Sequence, residues 1–418
     1  MSNPLSPRGS RVASFEVAPC ADLDEFGQAV FAIGQYFALD PTAERMERFA
    51  RNLPLERMHA ARENGSIVGG AGAFPFQLTV PGAVVATAGV TVVGTFPTHR
   101  RRGVLRSLMR AQLDDVHERG EPLALLWASE ETIYGRFGYG MTSLVGEMSL
   151  PREHSAFAVP LEREGTVRFV DPDEAMRLFP RVWDRVRRTT PGMLARSRSW
   201  WEYRVLFEPP GGGPFSEGGP KRYVVLERDG RPVGYAIYRH NPKFGDGAPD
   251  SETVVVEAIA EDGRPTAELW RFLLDIDWSA RIVARLLPLD HPLFFLLATP
   301  RRMRFRVGDG LWVRLVDAGP ALSARRYAAD GAVVFDVRDE FCPWNAGRWR
   351  LADGRARRTR AGAHLRCDVS ALGAAYLGAF GFSELVRGGR VEELRRGAAA
   401  RADAMFAAGR APWCPEIF

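Results

Sequence analysis

Lysine is almost missing from this 418-residue chain. Of its 56 basic residues only Lys221 and Lys243 are lysine, and the rest are arginine. GC-rich coding accounts for such a bias, so the net charge of +5 does not by itself point to nucleic acid. The arginines are interleaved with acids in most windows, and no stripe of basic and aromatic residues stands out. Cysteine is scarce as well: Cys20, Cys342, Cys367 and Cys414 lie far apart. They form no C-x-x-C pair, which excludes the zinc-site spacings, and so few in so long a chain exclude a disulfide framework. The histidines are scattered with no H-E-x-x-H, so no metal is expected. A G-x-x-x-x-G-K-[ST] loop is also missing, which argues against nucleotide hydrolysis. No apolar run reaches the ~18 residues that a membrane span needs. Met1 to Arg11 lacks the apolar core of a signal peptide and reads as a loose tail. These absences lead us to expect a cytosolic protein with neither a membrane nor a nucleic-acid partner.

What is present is foldable sequence throughout. Apolar residues make up 46% and aromatics 11%, so long disorder is not expected and the length predicts two or three domains. Leu23 to Phe37 and Met46 to Leu53 carry helical spacing. Met58 to Val80 reads as two strands around the turn Glu63-Asn64-Gly65, and Thr87 to Thr95 as a third. Leu105, Met109, Leu113 and Val116 mark one face of a helix that stops near Gly120. The continuous apolar run Pro122 to Ala128 has the look of a buried central strand. From Leu150 the same order returns: a strand at 166–170, a helix at 173–188, a hairpin around Arg228-Asp229-Gly230, a strand at 253–260 and a helix at 266–281. A third unit starts near Asp309, with strands at 311–316, 332–339, 347–351 and 363–369 and helices at 319–326, 370–379, 382–387 and 395–406. The expected domains are therefore residues 1–149, 150–308 and 309–418.

The segment Thr87 to Gly140 carries the chemistry. A β-rich run stops at Phe96-Pro97, three arginines and a glycine follow, and then the amphipathic helix begins. That order builds an anion site from backbone N–H groups at a helix N-terminus and fixed positive charge. An acyl donor carried on coenzyme A brings a pyrophosphate that needs such a site. Val93, Gly94 and Thr95 would offer backbone groups to the pantetheine arm. The amides and guanidinium forks of Arg100, Arg101, Arg102, Gly103, Val104, Leu105 and Arg106 would hold the pyrophosphate. His99 belongs to the turn rather than to catalysis. Beyond the next strand lies Ile133-Tyr134-Gly135-Arg136-Phe137-Gly138-Tyr139-Gly140. A phenol, with a reference pKa of about 10, stays protonated at neutral pH and suits the task of protonating a departing thiolate. Tyr134 and Tyr139 are the rival donors.

The order helix–helix–strand–strand–strand–helix–strand fits an acyltransferase of the GNAT type. Its pattern Arg/Gln-x-x-Gly-x-Gly/Ala is met by Arg100 and Gly103 and departed from at Leu105. T-H-R-R-R-G-V-L-R, followed by A-S-E-x-x-I-Y-G-R-F-G-Y-G, resembles the enhanced-intracellular-survival (Eis) acetyltransferases of actinobacteria. D-G-L-W-V-R at 309–314 and D-G-R-A at 353–356 resemble parts of that family's third domain. The resemblance implies an α+β chain with an N-terminal GNAT domain, a degenerate central GNAT-like domain and a C-terminal sterol-carrier-protein-like domain. The centre is degenerate because Glu261 to Pro265 carries no arginine cluster. The resemblance further implies that Tyr134 is the general acid and the terminal carboxylate of Phe418 the base. It also places acetyl-CoA on Val93 to Thr95, on Arg101 to Arg106, and on Ser129 and Glu130. Finally, it implies a homohexamer that acetylates primary amines, among them aminoglycosides and lysine side chains.

Substrate contacts are read from residue type. Trp127 could line the amine cavity, and Trp201 could supply an aromatic wall for ammonium groups; core packing is the plain alternative for both. Asp40 and Glu416 are the acidic candidates for a polycation. The family's acidic positions near the first helix do not carry over, since Gly34 to Ala38 reads G-Q-Y-F-A. The reading is an acetyl-CoA-dependent N-acetyltransferase acting on small amines, polyamines or lysine-bearing proteins, without a metal. A non-catalytic lipid-binding or scaffolding protein is the alternative. A basic nucleic-acid binder is a third, with no recognition motif to support it.

Overall fold

The structure, a computed structural model, describes residues 15–37, 40–208, 218–245, 248–261 and 263–418. The expected N-terminal tail, Ala38 and Asp262 lie outside them. The chain divides into two compact units, one of residues 1–74 and 90–119, the other of residues 75–89 and 120–418.

The first unit holds β1 (Glu16–Pro19), α1 (Leu23–Gly34), α2 (Ala43–Ala50), β2 (Met58–Glu63), the start of β3 (Ser66–Val80), the end of β4 (Ala83–Thr95) and α3 (Val104–Glu118). Asp22 caps α1 by accepting from the Asp24 and Glu25 amides, and Thr42 caps α2 through the Arg45 amide. The turn between β2 and β3 puts Asn64 and Gly65 at φ 51° and 79°, the left-handed region that this residue pair tolerates. Val68, Ala71, Val104 and Leu108 form a core with Phe15 and Ala61, so α3 packs its apolar face on β3. Gln112 on that face donates to the Gly72 carbonyl at 2.9 Å and is fully buried.

Among the described residues the second unit contains four sheets or parts of sheets. Its N-terminal elements are β5 (Leu123–Trp127), α4 (Glu131–Tyr134), β6 (Gly140–Met141) and β7 (Leu144–Pro151). Then come β8 (Thr166–Phe169), α5 (Pro172–Arg187), α6 (Arg198–Trp200), β9 (Arg222–Arg228), β10 (Arg231–Asn241) and the short pair β11 (Phe244–Gly245) and β12 (Ala248–Pro249). They are followed by β13 (Glu252–Ala260), α7 (Arg264–Leu274), β14 (Arg281–Leu287), α8 (Leu293–Leu296), β15 (Arg306–Asp309) and β16 (Leu311–Leu315). The last part holds α9 (Ala318–Ala324), β17 (Ala332–Arg338), β18 (Gly347–Ala352), β19 (Arg355–Arg358), β20 (Leu365–Asp368), α10 (Val369–Ala375), α11 (Phe382–Arg387), β21 (Val391–Glu393) and α12 (Ala398–Phe406).

The repeat read from sequence is visible in the pairing. Thr87–Gly89 of β4 run parallel to Leu123–Leu125 of β5, and the connection passes through α3. In the central sheet, ordered β15-β7-β14-β13-β10-β9-β8, residues Glu252–Val255 run parallel to Arg281–Ala284, and the connection is α7. Both are strand–helix–strand crossovers. The central sheet buries Leu226, Leu269, Trp270 and Ile282 on one face, and Phe179, Trp183, Val225 and Tyr235 on the other. The C-terminal sheet is ordered β19-β18-β17-β20-β21. One strand departs from expectation. Leu311–Leu315, read as the opening of the third unit, instead lies between β5 and β6, antiparallel to both.

A buried histidine gives the central part a pH dependence. His291 is 5% exposed, stands edge-on to Trp270 at 4.9 Å, and its Nδ1 accepts from the Leu293 amide. Burial lowers its pKa from 6.5 to about 3. Between those values the unfolded chain binds the proton and the folded chain does not, so stability is intact above pH 6.5 and falls as pH drops toward 3, by about 1.4 kcal/mol per unit. His291→Asn keeps an acceptor and cannot titrate. Urea unfolding between pH 6.5 and 4 should show a shallower pH slope for the variant; an unchanged slope would remove His291 from the account.

Candidate active site

The expected site residues fall in both units. Val93 to Arg106 and Asp40 belong to the first; Trp127, Ser129, Glu130, Tyr134, Trp201, Glu416 and Phe418 belong to the second.

In the first unit β4 ends at Thr95 and a short 3-10 turn, Pro97–His99, leads toward α3. Val92 sits at φ 46°, a left-handed conformation rare for a β-branched residue, immediately before Val93–Thr95. Arg101 at φ 60° and the N-cap Gly103 at φ 98° shape the following turn, and no side chain caps α3. Its first-turn amides therefore have no side-chain cap among the described residues. Arg100 and Arg101 are exposed. One Nη of Arg102 is bound to Glu63, whose other oxygen lies 3.2 Å from His99 Nε2, so this ion pair also helps to shape the turn. Asp40 is exposed, and its carbonyl accepts from Arg45 and from the Thr42 amide.

In the second unit β5 delivers Ser129 and Glu130, both exposed, and then α4, whose last residue is Tyr134. The Tyr134 phenol is 6% exposed. Burial pushes its pKa up to about 12, opposed by a hydrogen bond with Ser129 and reinforced by the charge of Glu130. Tyr139, its rival, is sealed at 1% exposure with no hydrogen-bond partner for its hydroxyl among the described residues, and its ring meets Tyr134 edge-on at 6.0 Å. The turn between them is held from below. Gly138, at φ 83°, lies so close to the Arg314 guanidinium that a Cβ there would fall 1.5 Å from its Nη1. Arg314 is fully buried on β16 and donates to Asp339 at 2.6 Å. Asp339 also accepts from the Cys342 amide and from Asn345.

The C-terminal tail is built in on several sides. The Trp413 amide donates to the Pro191 carbonyl at 2.7 Å, against Gly192 at φ 97°, where a Cβ would meet the Trp413 backbone at 2.8 Å. Trp127 Nε1 donates to the Glu416 carbonyl at 2.9 Å. The Glu416 side chain accepts from Trp200 Nε1 at 2.7 Å and from Arg196 Nε at 3.0 Å. Arg196 also donates twice to Glu257, and its guanidinium lies over Trp183 at 3.3 Å and Trp201 at 4.7 Å. Burial raises the Glu416 pKa, opposed by Arg196, and its Oε1 has no hydrogen-bond partner among the described residues. The Phe418 ring meets Phe76 edge-on at 5.0 Å, and Phe76 meets Trp200 in the same way.

Two expectations change here. Trp201 is 2% exposed and part of the core around Trp183 and Tyr235, so it provides no open aromatic wall. Its neighbour Trp200 contacts the tail instead. Glu416 is a buried ion-pair partner of Arg196, not an exposed acid. Sequence reasoning missed Arg196, Trp200, Glu257, Arg314 and Asp339. Among the described residues no cluster of three or more His, Cys, Asp or Glu could hold a metal, and no helix is long and apolar enough to cross a membrane.

Comparisons with known proteins agree with the fold. Models of the acetyltransferase (GNAT) domain match residues 21–142 and 192–315, and a sterol carrier protein domain model matches 319–415. The chain is 40% identical over 403 residues to an uncharacterized N-acetyltransferase of Streptomyces coelicolor, covering 94% of this chain and 96% of that one. It is 36% identical over 364 residues to N-acetyltransferase Eis of Mycobacterium tuberculosis, covering 83% and 85%. The crystal structure of Eis1 from Mycobacterium abscessus matches with a TM-score of 0.82 at 30% identity, covering 96% of this chain and 100% of that one. Fold and matches together define an N-acetyltransferase with GNAT domains at its N-terminus and centre and a sterol carrier domain at its C-terminus. The chain belongs to the Eis-like N-acetyltransferases, and the non-catalytic alternative gives way to an enzyme.

Proposed function

We propose that the chain transfers the acetyl group of acetyl-CoA to a primary amine of an aminoglycoside, a polyamine or a lysine side chain. The amine nitrogen attacks the thioester carbonyl directly, the C–S bond breaks, and Tyr134 gives its proton to the departing sulfur. The observation that carries this reading is the Tyr134 phenol: buried, joined to Ser129 and kept protonated to about pH 12. The uncapped α3 N-terminus with Arg100 and Arg101 supports the pyrophosphate assignment. The ammonium proton goes to the Phe418 carboxylate. With a reference pKa near 3.5 that group is a weak base, so it orients the amine and passes the proton onward through water. The clamped tail supports this role. We further propose that the enzyme works in the cytoplasm as a homohexamer, which light scattering on the purified chain would check.

Coenzyme A thiol release from acetyl-CoA, measured with a panel of aminoglycosides, polyamines and lysine peptides, tests the function. Amine-dependent release is expected; none with any member, in protein that binds acetyl-CoA, would leave the substrate classes wrong. Adding a few residues after Phe418 moves the carboxylate away and should lower turnover at least ten-fold. Full activity in that variant removes Phe418 from the mechanism.

A further inference from the structure

The C-terminal sheet carries a charge arrangement that acetyl transfer does not use. Between Arg348 and Arg360 the chain has six arginines and one acid, Asp353. All six arginines are exposed. The segment is the hairpin of β18 and β19, turned at Asp353 and Gly354 with φ 51° and 68°. Its register pairs Arg350 with Arg357 and Ala352 with Arg355. Residues two apart on a strand share a face with their cross-strand partners, so Arg348, Arg350, Arg355 and Arg357 lie on one face. Along each strand the spacing is about 6.7 Å, and the strands are about 4.8 Å apart. The result is a grid of four guanidinium groups. Among the described residues none of the four is in an ion pair; Arg348 donates only to the carbonyls of Arg360 and Ala361. On the next strands the pattern ends, because Arg366 is neutralised by Asp336 and Glu392.

Like charges placed directly opposite across a strand pair are destabilising. Charge on an edge strand can be explained as protection against edge-to-edge pairing. That accounts for β19, the edge of the sheet, but not for Arg348 and Arg350 on β18, which is paired on both sides. The other face of the hairpin is fixed: Leu351 is buried, and Trp349 lies beneath Arg358, whose guanidinium is 4.1 Å from the ring. The grid therefore stands on a rigid backing. An apolar residue for insertion into a lipid surface is missing from it, since none of the exposed large hydrophobic residues lies within 347–360. The interleaving of arginine with acid that spoke against nucleic acid elsewhere fails in this window.

We propose that the exposed face of the β18–β19 hairpin binds the phosphate backbone of duplex DNA without sequence preference. Regularly spaced arginines on the exposed face of these two strands suit a regularly spaced row of phosphates, whose contacts carry no sequence information. The surface is independent of the catalytic residues.

The test uses the full chain and a labelled 20-base-pair duplex, with binding followed by fluorescence anisotropy from 50 to 200 mM salt. Four phosphate contacts predict a log–log salt slope of about −3.6. In Arg350→Gln/Arg357→Gln the slope should fall to about −1.8 and affinity at 50 mM salt at least ten-fold. Amine acetylation and melting temperature should hold, since the change removes a like-charge pair. Wild-type affinity and slope in the variant would overturn the proposal. So would retention on phosphatidylserine vesicles or poly-glutamate, lost in the variant, without binding to duplex.

Discussion

Tyr134→Phe is expected to lower kcat by a factor of about 10² to 10⁴, the usual worth of a positioned general acid, with little change in acetyl-CoA affinity. The substitution isolates the hydroxyl. The ring sits in apolar surroundings at 6% exposure, edge-on to Tyr139, and phenylalanine fills the same volume. Lost packing therefore cannot explain a large effect, because volume-conserving swaps cost little. What disappears is one proton donor and its hydrogen bond with Ser129. Tyr139→Phe is the control: its hydroxyl has no partner among the described residues and is sealed from solvent, so turnover should hold within a factor of about 3. The pH profile gives a second check. With a pKa raised to about 12, Tyr134 remains protonated across the accessible range. The wild-type rate should therefore show no alkaline loss below about pH 11 attributable to this group. Equal kcat in wild type and Tyr134→Phe would hand the acid role to another group.

The strand and the glycine-bracketed turn on either side of Tyr134 were legible in the sequence because they are local, each with a residue-type signature, whereas the short helix α4 between them was not read. The hairpin turns at Asn64-Gly65 and Asp229-Gly230 were legible for the same reason, since their left-handed conformations select those residues. Partner choice over long separations was not. The alternation of Leu311–Leu315 marks a strand, yet nothing in it says that its neighbours are β5 and β6 rather than the C-terminal sheet. The aromatic pair Trp200-Trp201 shows a subtler limit. A helical reading leaves open which ring faces the tail. The chain passes from α6 into a π-helical turn at Trp201–Val205, and it is Trp200 that contacts Glu416 while Trp201 enters the core. A π-turn is rare and has no sequence signature strong enough to read. Arg196, Glu257 and Glu416 are separated by 61 and 220 positions, so their meeting is a property of the fold alone.

That meeting carries the second large expectation. Arg196→Met should destabilise the chain by about 3–5 kcal/mol, because it leaves the Glu257 and Glu416 carboxylates buried without their cation. Arg196, Glu257 and Glu416 side chains are 2%, 6% and 10% exposed, so water cannot stand in for the guanidinium. Tyr235 still donates to Glu257 at 2.5 Å and Trp200 to Glu416 at 2.7 Å, but neither supplies charge. Glu416, whose pKa burial already raises, would lose the Arg196 charge that opposes that rise and with it its hold on the guanidinium side. The tail is tied through Glu416, so it should loosen and carry Phe418 with it. Destabilisation and tail release can be separated. Arg196→Met/Glu257→Gln removes the stranded charge at Glu257 and should recover part of the stability, while the Arg196–Glu416 contact stays absent. In that double variant, hydrogen exchange at residues 412–418 should remain faster than in wild type, and amine acetylation should remain low. If the double variant restored stability and activity together with a protected tail, Arg196 would be a filler of the core and no more. If stability returned while activity and tail protection did not, the buried arginine would be what keeps the end of the chain in place for catalysis.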